Sequence, residues 1–370
     1  MKKWFLLPLA VLIFIGVAYW GIGKIQYRLN VMDVEEYQPM STLKVPETLL
    51  TKSKFPFVDV HNHQWTMPIQ DLDKLVVDMD DLNMGVMVNL SGFRGKFLEW
   101  SLENVQEKYG NRFAIFLNLD FEELDDEGWP DNALVMLEEG VKQGVKGLKI
   151  YKGLGLTDKD NEGNRIAVDD ARLDPVWKKC GELGIPILIH SGEPASFWKD
   201  KDKYNERWLE LKQKPGRYRS LDKFPSFEEI MAEQHNVFRK HPGTTFINAH
   251  LGWYGNDLNK LGELFDEMPN VYTELGAVLA ELGRQPRNAR RWMVKYQDRV
   301  MMGKDSYNKK EYYTYFRVLE TDDEYFDYYR KRHAHWKMYG LDLPDSVLRK
   351  VYYKNALKVI PGLDPTLFPQ

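Results

Sequence analysis

The sequence predicts a (β/α)8 barrel, and three observations carry that prediction. Eight short runs rich in Val, Ile, Phe and Leu recur from Phe57 to Gly303, and amphipathic stretches follow them. The turn after the first run is His61-Asn62-His63, not the glycine-rich phosphate turn of a doubly wound open sheet. Oversized connections follow the fifth and eighth runs, at 191–226 and 305–340, on the side where barrel strands present their functional loops.

The elements follow in order. Lys2 and Lys3 precede an uncharged stretch over residues 4–23, with Lys24 and Arg28 beyond it. About 20 apolar residues at 1.5 Å rise span a hydrocarbon core of roughly 30 Å. Residues 1–23 are therefore expected to be one hydrophobic helix, either a membrane anchor or a cleaved signal sequence. Gly16-Val17-Ala18 loosely fits a cleavage pattern, whereas Trp20 and the full spanning length favour retention. Both outcomes place the body outside the cytoplasm, at the cell membrane if the segment is kept and secreted or periplasmic if it is lost. Residues 24–54, with Pro39 and Pro46 and no clear period, read as a tether, and 55–370 as the barrel domain. Its strands are expected at 57–61, 85–90, 113–119, 145–151, 186–190, 244–250, 271–275 and 300–303. Helices are expected at 71–82, 131–143, 174–183, 227–240 and 256–268, each opening near an Asp, Asn or Ser cap and closing near a Gly or Pro.

Composition narrows the function classes. The chain has 370 residues, 43% hydrophobic and 29% charged, which suits a globular core rather than disorder. Lys and Arg number 51 against 55 Asp and Glu, a net charge of −4, so no nucleic-acid partner is expected. Cys180 is the sole cysteine, so neither an intramolecular disulfide nor a thiolate zinc site can form. A metal site would have to come from His, Asp, Glu or Lys.

Four of the eight histidines, His61, His63, His190 and His250, fall at the carboxyl ends of expected strands, and Asp305 follows the last one. Strand side chains alternate with period 2, so Asp59, His61 and His63 share the inner side. Three imidazoles and a carboxylate at a barrel mouth suit Zn²⁺ or another divalent ion such as Mn²⁺. The competing account is a set of hydrogen-bonded core histidines, which would serve for any one of them alone.

The segments Phe57-Val58-Asp59-Val60-His61-Asn62-His63, Gly147-Leu148-Lys149-Ile150-Tyr151, Leu188-Ile189-His190-Ser191-Gly192, Asn248-Ala249-His250-Leu251-Gly252 and Gly303-Lys304-Asp305-Ser306, with Lys354-Asn355-Ala356 near the end, resemble the amidohydrolase superfamily. The likeness is to its amidohydrolase-related branch, which includes aromatic-acid decarboxylases and lactonases, and it covers about 55–362. The resemblance implies metal ligation by His61, His63, His190 and Asp305. It also implies that His250 acts as electrophile or proton donor, and Asp305 as general base toward a metal-bound water. Lys304 departs from the small residue that relatives more often carry before the Asp.

Alternation turns Lys149 and Tyr151 inward. For Lys149 three roles stay open: a partner for substrate carboxylate, a carboxylated bridge between two metals, or an ion pair with Asp59 or Glu274. The branch more often looks mononuclear, so one ion is expected. The fifth-strand loop, 197–219, holds 8 Lys and Arg against 4 Asp and Glu. With Arg207 and its aromatic residues it suits an anionic or ring-bearing substrate, or is a solvated surface. Arg284 follows the seventh strand as a candidate carboxylate clamp. The tyrosines of 307–339 read as packing, and His235, His241, His333 and His335 as structural.

The reading is a metal-dependent hydrolase of a C–N or C–O bond in a small substrate. A metal-dependent decarboxylase of an aromatic or unsaturated acid is the alternative, and a non-catalytic small-molecule binding protein the third. The sequence leaves a homo-oligomer, and membrane attachment through residues 4–23, open.

Overall fold

The computed structural model describes residues 6–29, 31–121 and 123–370. The chain divides into two units, 1–44 and 45–370. In the first, one helix runs over Leu6–Leu29 and leaves Phe14, Val17 and Trp20 exposed. Lys2, Lys3, Trp4 and Phe5, where the expected spanning stretch begins, lie outside the described residues. Among the described residues no helix is long and apolar enough to cross a membrane. The transmembrane helix expected at 4–23 is thus not found among the described residues, and the expected stretch begins outside them.

Residues 45–54 of the expected tether join the barrel unit instead. Thr48 N–H donates to Asp323 Oδ2 at 2.7 Å, and the Ser53 hydroxyl donates to Phe55 O at 2.7 Å. Eight strands follow: β1 (Phe57–Asn62), β2 (Met84–Asn89), β3 (Phe113–Asn118), β4 (Gly147–Ile150), β5 (Ile187–Ile189), β6 (Phe246–Asn248), β7 (Val271–Glu274) and β8 (Val300–Met301). They pair in chain order, and every pair is parallel. Between β8 and β1, Val60 N–H reaches Met302 O at 3.0 Å and Asn62 bridges Asp305, which nearly closes the barrel. All eight runs read from the sequence become strands. Their apolar residues are continuous because one face meets the barrel interior and the other the helices.

The expected helices occupy Leu72–Leu82, Trp129–Gln143, Asp174–Leu183, Phe227–Lys240 and Leu258–Glu267. Side-chain caps set three of their starts. Asp71 accepts from Asp73 N–H, Ser226 from Glu229 N–H, and Asp257, one residue beyond Asn256, from Lys260 N–H. The helix expected at 131 begins earlier, at Trp129, because Pro130 is suited to the first turn.

The long connection after β8 carries a helix, Lys309–Glu320. Tyr312 and Tyr315 are fully buried, and the Phe57 ring lies 5.9 Å from Tyr312, so these tyrosines are packing. Lys304 is turned away from the mouth into this cover. Its Nζ donates to Ser306 O at 2.8 Å and to Glu311 Oε2 at 2.5 Å.

His241 pairs with Asp174 at 3.0 Å and His335 is exposed. His235 and His333 carry a pH signature. Burial pulls His235 down to about 4, aided by Arg239, and pulls His333 to about 4 against the opposing charge of Glu210. Both lie below the unfolded value of 6.5, so the unfolded chain takes up protons first, and stability present above pH 6.5 is lost as pH falls toward 4. Asp59, pushed up by burial to about 6, works in the opposite sense between 6 and 3.8. The His235 ring stacks near Phe238 and Tyr254, so His235→Phe is expected to keep the packing. It should flatten the acid loss of stability by about 1–3 kcal/mol. Thermal melts between pH 7 and 4.5 check this, and an unchanged slope would refute it.

Candidate metal centre

The site is built at the carboxyl ends of β1, β4, β5, β6, β7 and β8. Alternation along β1 turns Asp59, His61 and His63 to one side, and His61 is fully buried. Its backbone is held by Asp59, whose Oδ1 accepts from His61 N–H at 3.1 Å and from Lys304 N–H at 3.1 Å. Asp59 Oδ2 accepts from Tyr312 OH at 2.6 Å and from Asn62 Nδ2 at 2.8 Å. The helix after β8 therefore braces β1 from behind.

Hydrogen-bond partners assign the tautomers. Glu274, at the end of β7, accepts from His61 Nδ1 at 2.9 Å, which leaves a bare lone pair on His61 Nε2. Gly276 O can only accept, so His250 Nδ1 carries its proton, at 2.7 Å. His250 Nε2 then accepts from His190 Nδ1 at 3.3 Å, and His190 Nε2 is bare in turn. Tyr151 OH donates to Leu90 O at 3.0 Å, and Ser91 Oγ lies 3.3 Å from Tyr151 OH. Donation by Ser91 to Tyr151 leaves Ser91 Oγ to accept from His63 Nδ1 at 2.7 Å, which bares His63 Nε2.

Two of those nitrogens, on His61 and His63, face a carboxylate. Asp305 Oδ1 lies 3.6 Å from His61 Nε2 and 3.6 Å from His63 Nε2. This is longer than a hydrogen bond, and close to the roughly 3.4 Å between two donors each about 2.1 Å from a tetrahedral ion. His61, His63 and Asp305 offer donor atoms all within 4.8 Å of one another. His190 stands outside that group, tied to it through His250. His61 Nε2 and His190 Nε2 are buried and have no hydrogen-bond partner. Bare lone pairs facing a carboxylate repel unless a cation lies among them, so this donor set fits a divalent metal.

A second grouping, His61, His250 and Glu274, has the same span. There Glu274 is occupied as an acceptor, by His61 Nδ1, by His250 N–H at 2.6 Å and by Gly276 N–H. It is a brace for the ligands. A Cβ on Gly303 would lie 2.2 Å from Glu274 Oε2, so only glycine admits the carboxylate there.

Electrostatics point the same way. Burial first, then Lys149, holds His61 well below its usual value. Burial first, then His250, does the same for His190, and burial with Lys149 brings His63 to about 4. All three are neutral at pH 7, as ligands must be. Burial works against the Asp305 carboxylate, yet His61, His250 and His63 pull it down to about 2. Backbone strain collects here as well. His250, Leu251 and Trp253 have φ of 59°, 54° and 58°, and Asp305 has 79°, a left-handed region that costs about 1–3 kcal/mol per non-glycine residue.

The remaining expected residues separate. Lys149 is buried and its Nζ has no hydrogen-bond partner. It pairs with neither Asp59 nor Glu274, because their oxygens are already engaged. Burial brings it to about 7, opposed by Asp305 and Glu274. Tyr151 braces Ser91 and His63. Arg207 and Arg284 are both engaged by carboxylates. Arg207 donates to Glu210 at 3.0 Å and to Glu281 at 2.8 Å. Arg284 bonds Glu206 at 2.7 Å over the Trp336 ring. Both arginines pin the loops after β5, β7 and β8 together, which consumes much of the positive charge read from 197–219. Sequence reasoning missed the bracing role of Glu274, although an acidic residue of inward parity ending a strand was its signal. It also missed Ser91 and Trp65, for which no spacing stands out.

A sequence model of the amidohydrolase family matches residues 99–362. No curated protein matches the chain. Among solved structures, it is similar to 2,6-dihydroxybenzoate decarboxylase from Rhizobium, at 13% identity and TM-score 0.54, over 82% of this chain and 98% of that one. It is also similar to a dihydroxybenzoic acid decarboxylase from Polaromonas sp. JS666 with bound manganese and the inhibitor 2-nitroresorcinol, at 13% identity and TM-score 0.53, over 82% and 96%. An uncharacterized TIM-barrel protein from Bordetella bronchiseptica matches at 13% identity and TM-score 0.52, over 82% and 98%. These likenesses establish a common fold.

Proposed function

This chain belongs to the amidohydrolase family, and we propose that it is a metal-dependent hydrolase of a C–N or C–O bond in a small, anionic or ring-bearing substrate. The observation that carries the reading is the pair of buried, unpartnered nitrogens, His61 Nε2 and His190 Nε2, beside His63 and Asp305. His61, His63, His190 and Asp305 would hold one divalent ion, zinc by the preference of an imidazole-rich set, with manganese the alternative. Such an ion supplies Lewis acidity toward a carbonyl and acidifies water.

The chain's own groups do the rest. Asp305, with 26% of its side chain exposed, takes the proton of the attacking water on a carboxylate oxygen. His250 is oriented by Gly276 O, so its Nε2 faces the site. Unprotonated in the resting state, Nε2 receives the proton that Asp305 has taken, stabilises the developing oxyanion as the imidazolium and passes that proton to the leaving group. Lys149, a buried amine without a partner, receives an anionic group of the substrate.

A decarboxylase is the second reading, favoured by Lys149 and by the fold shared with dihydroxybenzoate decarboxylases. Zinc-loaded protein turned over in ¹⁸O-water on a panel of aryl esters, lactones, anilides and hydroxybenzoates distinguishes them. Hydrolysis is expected to place one ¹⁸O in each acid product. Release of CO₂ with no ¹⁸O in the remaining product would overturn hydrolysis in favour of the second reading.

A further inference from the structure

A row of aromatic rings runs outward from the metal centre. The Trp65 ring lies parallel to His63, 5.4 Å away with 8° between planes, and nearly parallel to Tyr151, at 6.0 Å and 19°. It meets Phe93 edge-to-face, with ring centroids 6.2 Å apart. Phe93 meets Phe97 at 5.7 Å, and Phe97 meets Trp100 at 5.5 Å. Burial does not explain the row, because Trp65, Phe97 and Trp100 are 58%, 56% and 46% exposed. A contiguous exposed aromatic surface beginning at a candidate metal ligand calls for a bound partner.

The row is held in place. Phe93 sits in the left-handed region at φ 62°, an unfavourable conformation for an aromatic residue that its surroundings must enforce. Phe93 N–H donates to Asn118 Oδ1 at 2.9 Å, and Asn118 N–H returns a bond to Phe93 O at 3.0 Å. Arg94 beside it is tied to Asp120 at 2.6 Å. At the inner end, Lys149 Nζ lies 5.5 Å from the Tyr151 ring, one ring removed from Trp65.

We propose that Trp65, Phe93, Phe97 and Trp100 form the specificity subsite for the body of the substrate. That substrate is an elongated aromatic compound bearing a carboxylate, with the carboxylate on Lys149, the C–N or C–O bond to be hydrolysed at the metal centre, and its further ring on Trp65 and Phe93. This rests on the metal-centre reading above and adds the substrate class. Planar rings gain from stacking on Trp65 in a way that a saturated body of equal size does not.

Calorimetric titration of the full-length, zinc-loaded protein with benzoate, cyclohexanecarboxylate and biphenyl-4-carboxylate tests it. Biphenyl-4-carboxylate is expected to bind about tenfold more tightly than benzoate, and benzoate more tightly than cyclohexanecarboxylate. Trp65→Ala should erase the biphenyl advantage and Trp65→Phe retain most of it. Phe97→Ala, further from His63, should reduce it with zinc content unchanged. Equal affinities in the unaltered protein, or an advantage that survives Trp65→Ala, would overturn the proposal. So would phosphatidylcholine-vesicle binding that depends on Trp65 and Trp100 without any preference among the probes. Zinc content judges the metal reading separately: a chain that holds no zinc yet prefers the biphenyl probe loses that reading and keeps the subsite.

Discussion

Replacing His61 with alanine is expected to remove the bound divalent ion and lower turnover by at least about a thousandfold. His61 contributes one of the bare Nε2 donors, and no other imidazole is placed to substitute for it. His63 is held by Ser91 and His190 by His250, each in a ring position that its Nδ1 bond fixes. The loss goes beyond one ligand, because Glu274 then remains buried without the proton it accepts at 2.9 Å. Glu274 keeps its bonds from His250 N–H and Gly276 N–H, and one hydrogen bond to a charged group is worth about 1.5–3 kcal/mol, so a modest drop in Tm is expected beside the loss of metal. Plasma mass spectrometry on purified protein, with circular dichroism to confirm the fold, provides the check. One equivalent retained by His61→Ala at unchanged affinity would remove His61 from the centre.

Changing Glu274 to glutamine should weaken metal binding by about 10–100-fold while leaving every ligand in place. The substitution preserves shape and removes only acceptor capacity. Glu274 now accepts from three donors: His61 Nδ1, His250 N–H and Gly276 N–H. A glutamine oxygen can serve one side of that arrangement, and its NH₂ then faces a donor on the other. Either Gly276 N–H loses its partner, or His61 turns to a tautomer whose proton points at the metal. Competition with a zinc chelator at pH 7 measures the change. An affinity equal to that of the unaltered protein would show that Glu274 does not orient His61.

Much of this architecture was legible before any coordinates. The eight runs from Phe57 to Gly303 became strands because a barrel strand buried on both faces must be apolar throughout, a local property. Asp71, Ser226 and Asp257 mark helix starts because a cap acts within three residues. The candidate ligand histidines stood out because they end strands, and strand ends face one mouth in this fold. Arg207 and Arg284 illustrate the opposite case. Their charge suggested a substrate clamp, but Arg207 pairs with Glu281 and Arg284 with Glu206 across loops distant in sequence, and Glu210, three residues on, also holds Arg207. Trp65 and Phe93 were silent for a related reason, since their ring contacts join different loops.

The sequence by itself determined the barrel, the order of its strands and the set of imidazoles and carboxylate at its mouth, because alternation and capping are short-range and chain-ordered. Only the tertiary structure decided which nitrogen of each histidine is bare, that Glu274 braces His61, and that an aromatic row leads to the centre. Those outcomes depend on hydrogen bonds and ring contacts between residues far apart in the chain, such as the 213 positions separating His61 from Glu274. No local pattern encodes a distance between two such groups.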